Sequence, residues 1–197
     1  VDHIVRTTRP AAVVSPSGFG HVDHLATYHE VLAATPVPNW LVVDDHPGVA
    51  LPAGATRFAE LLDAEPLESP IEVDPSSPAL IGFTSGTTEH PKGVVHSHET
   101  LGFEARQLNW MFPVGGPDTI TGAPVGHFIG MLNGLVIPLM RRQPVNLLDV
   151  WDPGHVLQLM SEEGLGMAGG ATYFLTSLLD HPDFTEEHLR LMPFAGL

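Results

Sequence analysis

Apolar positions along this chain alternate between two spacings, and the alternation predicts parallel strands separated by helices. Val1 to Arg9 reads as the end of a helix, and Ala11 to Ser15 as a short apolar strand closed by Pro16, Ser17 and Gly18. From His21, the positions Val22, Leu25, Tyr28 and Leu32 recur at three and four residue steps, the helical spacing, until Pro36 ends it. Trp40 to Val43 is a second strand, and the order strand, helix, strand implies a parallel sheet. Asp44 to Thr56 is rich in turn residues, Phe58 to Leu62 starts a short helix, and Glu65 to Pro78, with four prolines and many acids, reads as an exposed connection. That Pro-rich segment is the best boundary, giving a strand-helix-strand α/β subdomain over 1–73 and a second α/β subdomain over 74–197.

The second part continues the alternation. An apolar strand around Ile81 runs into a loop, and Val94-Val95 continues as a strand. Ser97 is placed to cap a helix with Glu99 in its first turn, where the helix dipole favours negative charge, and Leu101, Ala105, Leu108 and Phe112 share one face. Thr119 to Pro124, Val145 to Leu148, Met167 to Ala171 and Leu189 to Leu197 read as strands. Phe128 to Met140, Pro153 to Glu163 and Tyr173 to Leu179 read as helices, the first of them buried. The expected fold class is α/β, with layered, parallel-rich sheets flanked by helices.

Composition narrows the function classes. Hydrophobic residues make up 43% of the chain and the mean hydropathy is slightly positive, which suits strands buried on both faces. With 23 acids against 8 basic residues the net charge is -15, so the basic footprint of a nucleic-acid binder or of a protein held on an anionic membrane is missing. There is no cysteine, hence neither a disulfide framework nor a thiolate metal site; the expected location is the cytoplasm. The run Phe128 to Met140 is too short to cross a bilayer, and no transmembrane segment is expected. Val1 in place of a methionine, and an apolar stretch at Leu197, lead us to expect a piece cut at both ends.

The chemistry concentrates in Ile81 to His98, read as IGFTSGTTEHPKGVVHSH. Thr84, Ser85, Thr87 and Thr88 offer four hydroxyls, Gly86 and Gly93 let several N–H groups point one way, and Lys92, the sole lysine of the chain, adds a cation. The set is suited to an anion. It is not the P-loop of NTPases, because Gly93 follows Lys92 where a magnesium-binding hydroxyl belongs, and a strand rather than a helix comes next. The loop resembles that of the adenylate-forming superfamily, Thr-Ser-Gly-Thr-Thr-Gly-x-Pro-Lys-Gly, and meets nine of its ten positions counting the free one. Glu89 replaces the family glycine. A carboxylate about 6 Å from a phosphate repels it by roughly 1 to 3 kcal/mol, so we expect Glu89 to turn outward and to weaken nucleotide binding.

Other patterns carry less. Gly164-Leu165-Gly166-Met167-Ala168-Gly169 satisfies the dinucleotide fingerprint formally, but it follows a helix and enters a strand, the reverse of what that site needs. His96 with His98, and His21, His24 and His29, lack further partners for zinc, and no metal site is expected from this chain's own residues. No Gly-x-Ser-x-Gly elbow occurs. His127, in GAPVGHFIGMLNG, follows an expected strand; a structural role capping the next helix is the alternative to a functional one.

The resemblance implies part of the larger N-terminal domain of an ATP-dependent acyl-CoA synthetase, which turns a carboxylic acid into an acyl adenylate and passes it to coenzyme A. It implies that Thr84, Ser85, Gly86, Thr87, Thr88 and Lys92 hold the ATP phosphates, with Lys92 and His127 in catalytic roles. His127 would bind the acyl carboxylate and gate the acyl channel, while Phe128, Met131, Leu132, Gly169, Gly170, Ala171 and Thr172 line the acyl pocket. Magnesium would be bound by a Tyr-Gly-x-Thr-Glu segment beyond Leu197, as would adenine; the ribose aspartate and the C-terminal lysine domain would lie there too, so the piece alone should be inactive or nearly so. The implied acid is fatty or aromatic. An adenylation domain of a peptide synthetase and a non-catalytic binding relative are the alternatives, and a homodimer is left open.

Overall fold

The computed structural model describes residues 1–43, 48–84, 90–110, 116–167 and 170–192. Two compact units emerge, one of Val1–Glu72 with Phe83–Lys92, the other of Val73–Gly82 with Gly93–Leu197.

The first unit is built on a parallel sheet in the order β1 (Ala12–Pro16), β4 (Asn39–Val43), β5 (Ala55–Arg57), with Val13 opposite Trp40 and Trp40 opposite Ala55. The expected strand, helix, strand unit is present: α2 (His24–Ala34) links β1 to β4, starting from Asp23, whose side chain accepts the Ala26 N–H. A short antiparallel pair, β2 (Gly18–Phe19) and β3 (Val22–Asp23), precedes it, so the helical period read from Val22 begins two residues later, at His24. Val5 of α1 (Asp2–Thr8), Val13, Leu32, Trp40 and Val42 form the core. Burial alternates along β1 and β4, with Val14 and Val43 exposed, so these strands are buried on one face and not on both as composition suggested.

β5 lies in a stretch read as turns. Only Thr56 favours strand there, and Gly54 at φ 86° ends the preceding turn, so tertiary pairing with β4 makes the strand. Phe58–Asp63 follows as a 3₁₀ helix, and the connection beyond it is exposed.

In the second unit β6 (Pro78–Phe83) pairs with β7 (Gly93–Ser97), and β8 (Thr119–Ile120) pairs in parallel with β9 (Gly166–Met167). The helix α3 (His98–Asn109) follows β7, and buries Ala105 on the expected face. The helix expected from Phe128 is α4 (Phe128–Met131) running through a π-helical segment, Leu132–Val136, into α5 (Ile137–Arg141); Leu132 and Ile137 are buried but Ile129, Leu139 and Met140 are exposed, so the helix is buried along one face and not all round as expected. Next come α6 (Pro153–Glu163) and α7 (Thr172–Leu179), which pack with Met167 around Val156, Leu157, Met160 and Leu178.

Three expected strands are corrected. Thr119 to Pro124 pairs only at Thr119 and Ile120, because the Thr121 hydroxyl accepts the Ala123 N–H and turns the backbone off the ladder. Val145 to Leu148 shrinks to a single bridge from Asn146 to Ile120. Leu189 and Arg190 belong to a helix, α8 (Glu186–Arg190), whose start is fixed by a reciprocal box between Thr185 and His188. Residues 193–197 lie outside the described ones.

Candidate functional site

In the first unit the structure fixes the neck of the hydroxyl-rich loop. The Thr84 N–H donates to the Lys92 carbonyl at 3.0 Å, and the Lys92 N–H donates back to the Thr84 hydroxyl oxygen at 3.3 Å. Both residues are exposed, so the ammonium and the hydroxyl proton face solvent. Ser85, Gly86, Thr87, Thr88 and Glu89 lie outside the described residues. Sequence reasoning missed three groups at this neck. His3 of α1 reaches the Pro91 carbonyl at 3.1 Å, stacks on His90 with ring centroids 4.7 Å apart, and meets Phe83 edge-on.

In the second unit His127 stands at a corner made rigid by backbone. Its N–H donates to the Pro124 carbonyl at 2.9 Å, and its own carbonyl accepts the Met131 N–H at 2.9 Å. It is the residue before α4, in extended backbone, and its imidazole makes no capping hydrogen bond. The ring is exposed, which leaves it accessible to a ligand. Phe128 stacks on His96 of β7 at 4.4 Å and 15°. Met131 is half-buried, whereas Leu132 is fully buried and packs as core. Gly130 is a signal that the sequence carries for this corner: a Cβ there would lie 2.1 Å from the Pro124 carbonyl oxygen. A glycine inside a helical pattern marks such a close approach.

Gly170 packs against Phe174, with the Cα of Gly122 3.5 Å from where its Cβ would be. Gly122 is itself pressed on Phe174 and Met167. Beside this contact is a cavity of about 110 Å³ lined by Thr121 to Val125, Leu147 to Asp149, Trp151 and Phe174. Ala171 and Thr172 are exposed at the start of α7, and Ala168 and Gly169 lie outside the described residues. A recess of about 560 Å³ beside Asp118, Asn146 and Glu163 contains none of the expected residues. Gly164 caps α6 at φ 66° and Gly166 enters β9, so the apparent dinucleotide fingerprint is a helix end followed by a strand. Among the described residues no three candidate metal ligands gather, and no helix is long and apolar enough to cross a membrane.

A parallel α/β chain that carries a hydroxyl and glycine loop ending in Pro-Lys-Gly has the character of the adenylate-forming class. A family model described as AMP-binding enzyme matches residues 1–196, and the chain belongs to that family. A malonate–CoA ligase of Arabidopsis thaliana is 40% identical over 72 residues, 36% of this chain and 12% of the relative. A long-chain-fatty-acid–CoA ligase, FadD13, of Mycobacterium tuberculosis is 30% identical over 135 residues, 68% of this chain and 27% of the relative. The chain therefore spans about a quarter or less of these curated relatives. Among solved structures, ATP-bound MatB from Rhodopseudomonas palustris superposes with a TM-score of 0.74 at 24% identity, over 98% of this chain and 36% of that one. A luciferase-like enzyme from the mealworm Zophobas morio gives 0.75 at 16% identity, over 92% and 41%. At these identities the superpositions establish an acyl-CoA synthetase-like N-terminal fold.

Proposed function

We propose that this chain supplies the phosphate loop and part of the acyl site of an ATP-dependent acyl-CoA synthetase. The observation that carries the reading is the Thr84–Lys92 neck, which closes a loop of the family's spacing and leaves one hydroxyl and the chain's sole ammonium exposed at its rim. Such a pair suits a polyphosphate: the cation offsets charge, and the hydroxyl donates to a phosphate oxygen.

The reaction begins with attack of a carboxylate oxygen on the α-phosphorus of ATP. The bond to the bridging oxygen breaks, and pyrophosphate leaves with the electron pair. Thr84, Ser85, Gly86, Thr87, Thr88 and Lys92 hold the β- and γ-phosphates and stabilise that leaving charge, work done by fixed donors rather than a covalent nucleophile. Magnesium, when bound, neutralises phosphate charge; no described residue is assigned to it. His127, exposed at its corner, binds the acyl carboxylate, and Phe128 and Met131 contact an apolar acyl group. Leu132 supports them from the core. In the second half-reaction the thiol of coenzyme A displaces AMP. The acid we favour is fatty or aromatic, from the apolar residues after His127.

The test is carboxylate-dependent exchange of pyrophosphate into ATP by the full-length protein, after a hydroxamate screen has named an acid. Lys92→Ala should slow exchange by about 10² to 10³. Exchange that ignores Lys92, or needs no acid, would overturn the proposal.

A further inference from the structure

Within the first unit the phosphate loop is flanked by two limbs, one ending at Thr84 and one starting at His90, and a single side chain from far upstream touches both. His3 sits on α1, 88 residues before Pro91, and its Nε2 lies 3.1 Å from the Pro91 carbonyl oxygen. A carbonyl can only accept, so Nε2 carries the proton and donates it. The same ring stacks on His90 of the second limb at 4.7 Å and 10°, nearly parallel. Its edge relation with Phe83 of the first limb, at 6.5 Å and 87°, completes the contact. Phe83 and Pro91 stand immediately outside Thr84 and Lys92, the residues that bond across the neck.

From this juxtaposition we infer that His3 is a positioning residue for the phosphate loop, a clamp that holds the two limbs in register and so sets where the Lys92 ammonium and Thr84 hydroxyl stand. The inference rests on the phosphate-binding reading for its purpose, but the clamp itself is a statement about the neck. Imidazole suits the task because it combines a flat face for His90 with an in-plane donor for Pro91. A phenyl ring keeps only the face, and a glutamine only the donor. His3 is half-buried, so its hydrogen bond is partly shielded from competing water.

The α1 helix has other work, since Val5 is in the core of the first unit. A merely structural role for His3 would loosen α1 as a whole. A positioning role predicts something narrower. In the 197-residue chain, amide hydrogen exchange at Thr84 and Lys92 should speed up by about tenfold or more in His3→Ala, while the amides of Val5 and Arg9, which bond within α1, keep their protection. His3→Phe and His3→Gln should fall between wild type and His3→Ala, each restoring half of the contact. In the full-length protein His3→Ala should raise the KM for ATP by on the order of tenfold to a hundredfold, with the KM for the acid unmoved, because loop placement and not acyl binding is disturbed.

Unchanged exchange at Thr84 and Lys92 overturns the clamp whatever the activity. Exchange that rises equally along α1 overturns it as well, in favour of plain helix stability. Neck amides that respond to His3 in a protein without ATP-dependent exchange uphold the clamp and count against the ligase reading, so the two failures are separable.

Discussion

Gly130 illustrates how much one hydrogen atom can decide. Its Cα faces the backbone of Ala123 and Pro124, where a Cβ would come within 2.6 Å of the Pro124 carbonyl carbon, and backbone cannot step aside as a flexible side chain can. Gly130→Ala should therefore cost on the order of 1 to 3 kcal/mol, read from urea unfolding. The same substitution should displace His127, whose N–H is held by the Pro124 carbonyl. Ser15 is a second residue of this kind. It is 1% exposed, and its hydroxyl accepts the indole N–H of Trp40 at 3.0 Å. Ser15→Ala strands a buried donor and should lose about 1 to 3 kcal/mol. Trp40→Phe removes the donor but leaves a cavity in the core, so the double variant should lose less than the sum of the two single variants; strict additivity would show that the hydrogen bond contributes nothing.

At the scale of elements, α3 shows what local chemistry can fix. The Ser97 hydroxyl accepts the Thr100 N–H at 3.1 Å, the Thr100 hydroxyl accepts the Ser97 N–H at 2.9 Å, and Ser97→Ala should cost about 1 kcal/mol in a thermal or urea melt. A turn from Asp74 docks on the same helix start, its Pro75 carbonyl accepting the Glu99 N–H. The backbone N–H of Ser76 and then its hydroxyl donate to the Asp74 carboxylate and hold it below its ordinary value. A lowered carboxylate contributes stability that is present above its unfolded value and disappears as pH falls through the folded one. Asp74→Asn should accordingly flatten the acid limb of the melting curve below about pH 4, and an unchanged limb would refute the link. The Ser97 cap was legible in the sequence because its partner Thr100 lies three residues away, whereas the docking of Pro75 on Glu99 was not. The parallel β1–α2–β4 unit was legible too, since its periods are long enough to read. β5, the lone Asn146 bridge and the π-helical segment were not, because tertiary contacts decide them. The site divides in the same way. The loop spacing from Thr84 to Lys92 and the exposed His127 were visible, whereas His3 beside Pro91 depends on residues 88 apart, a contact no local pattern encodes.

For the whole molecule the governing quantity is charge. A chain of 197 residues with a net charge of -15 repels itself, and folding concentrates that charge. Local ion pairs relieve little of it: Arg6 with Asp2 and Arg190 with Glu186 are both exposed pairs one helical turn apart, worth tenths of a kcal/mol. The unfavourable part is long-range, so it responds to salt in the opposite sense to a salt bridge. At about 10 mM salt the screening length is about 30 Å, long enough for carboxylates on different elements to feel one another; at about 150 mM it is about 8 Å. Raising salt between these limits should thus raise the melting temperature, with a magnitude of a few degrees for a fraction of a kcal/mol to about 1 kcal/mol gained. A neutral osmolyte at the same osmolality separates screening from general exclusion effects, and a melting temperature that falls with salt would mean that local pairs outweigh the net repulsion. The sign matters for function as well. On the proposed ATP-binding reading, the net negative charge disfavours the approach of the nucleotide and the Lys92 ammonium works against that field, so the KM for ATP in the full-length protein should fall as salt rises over the same range.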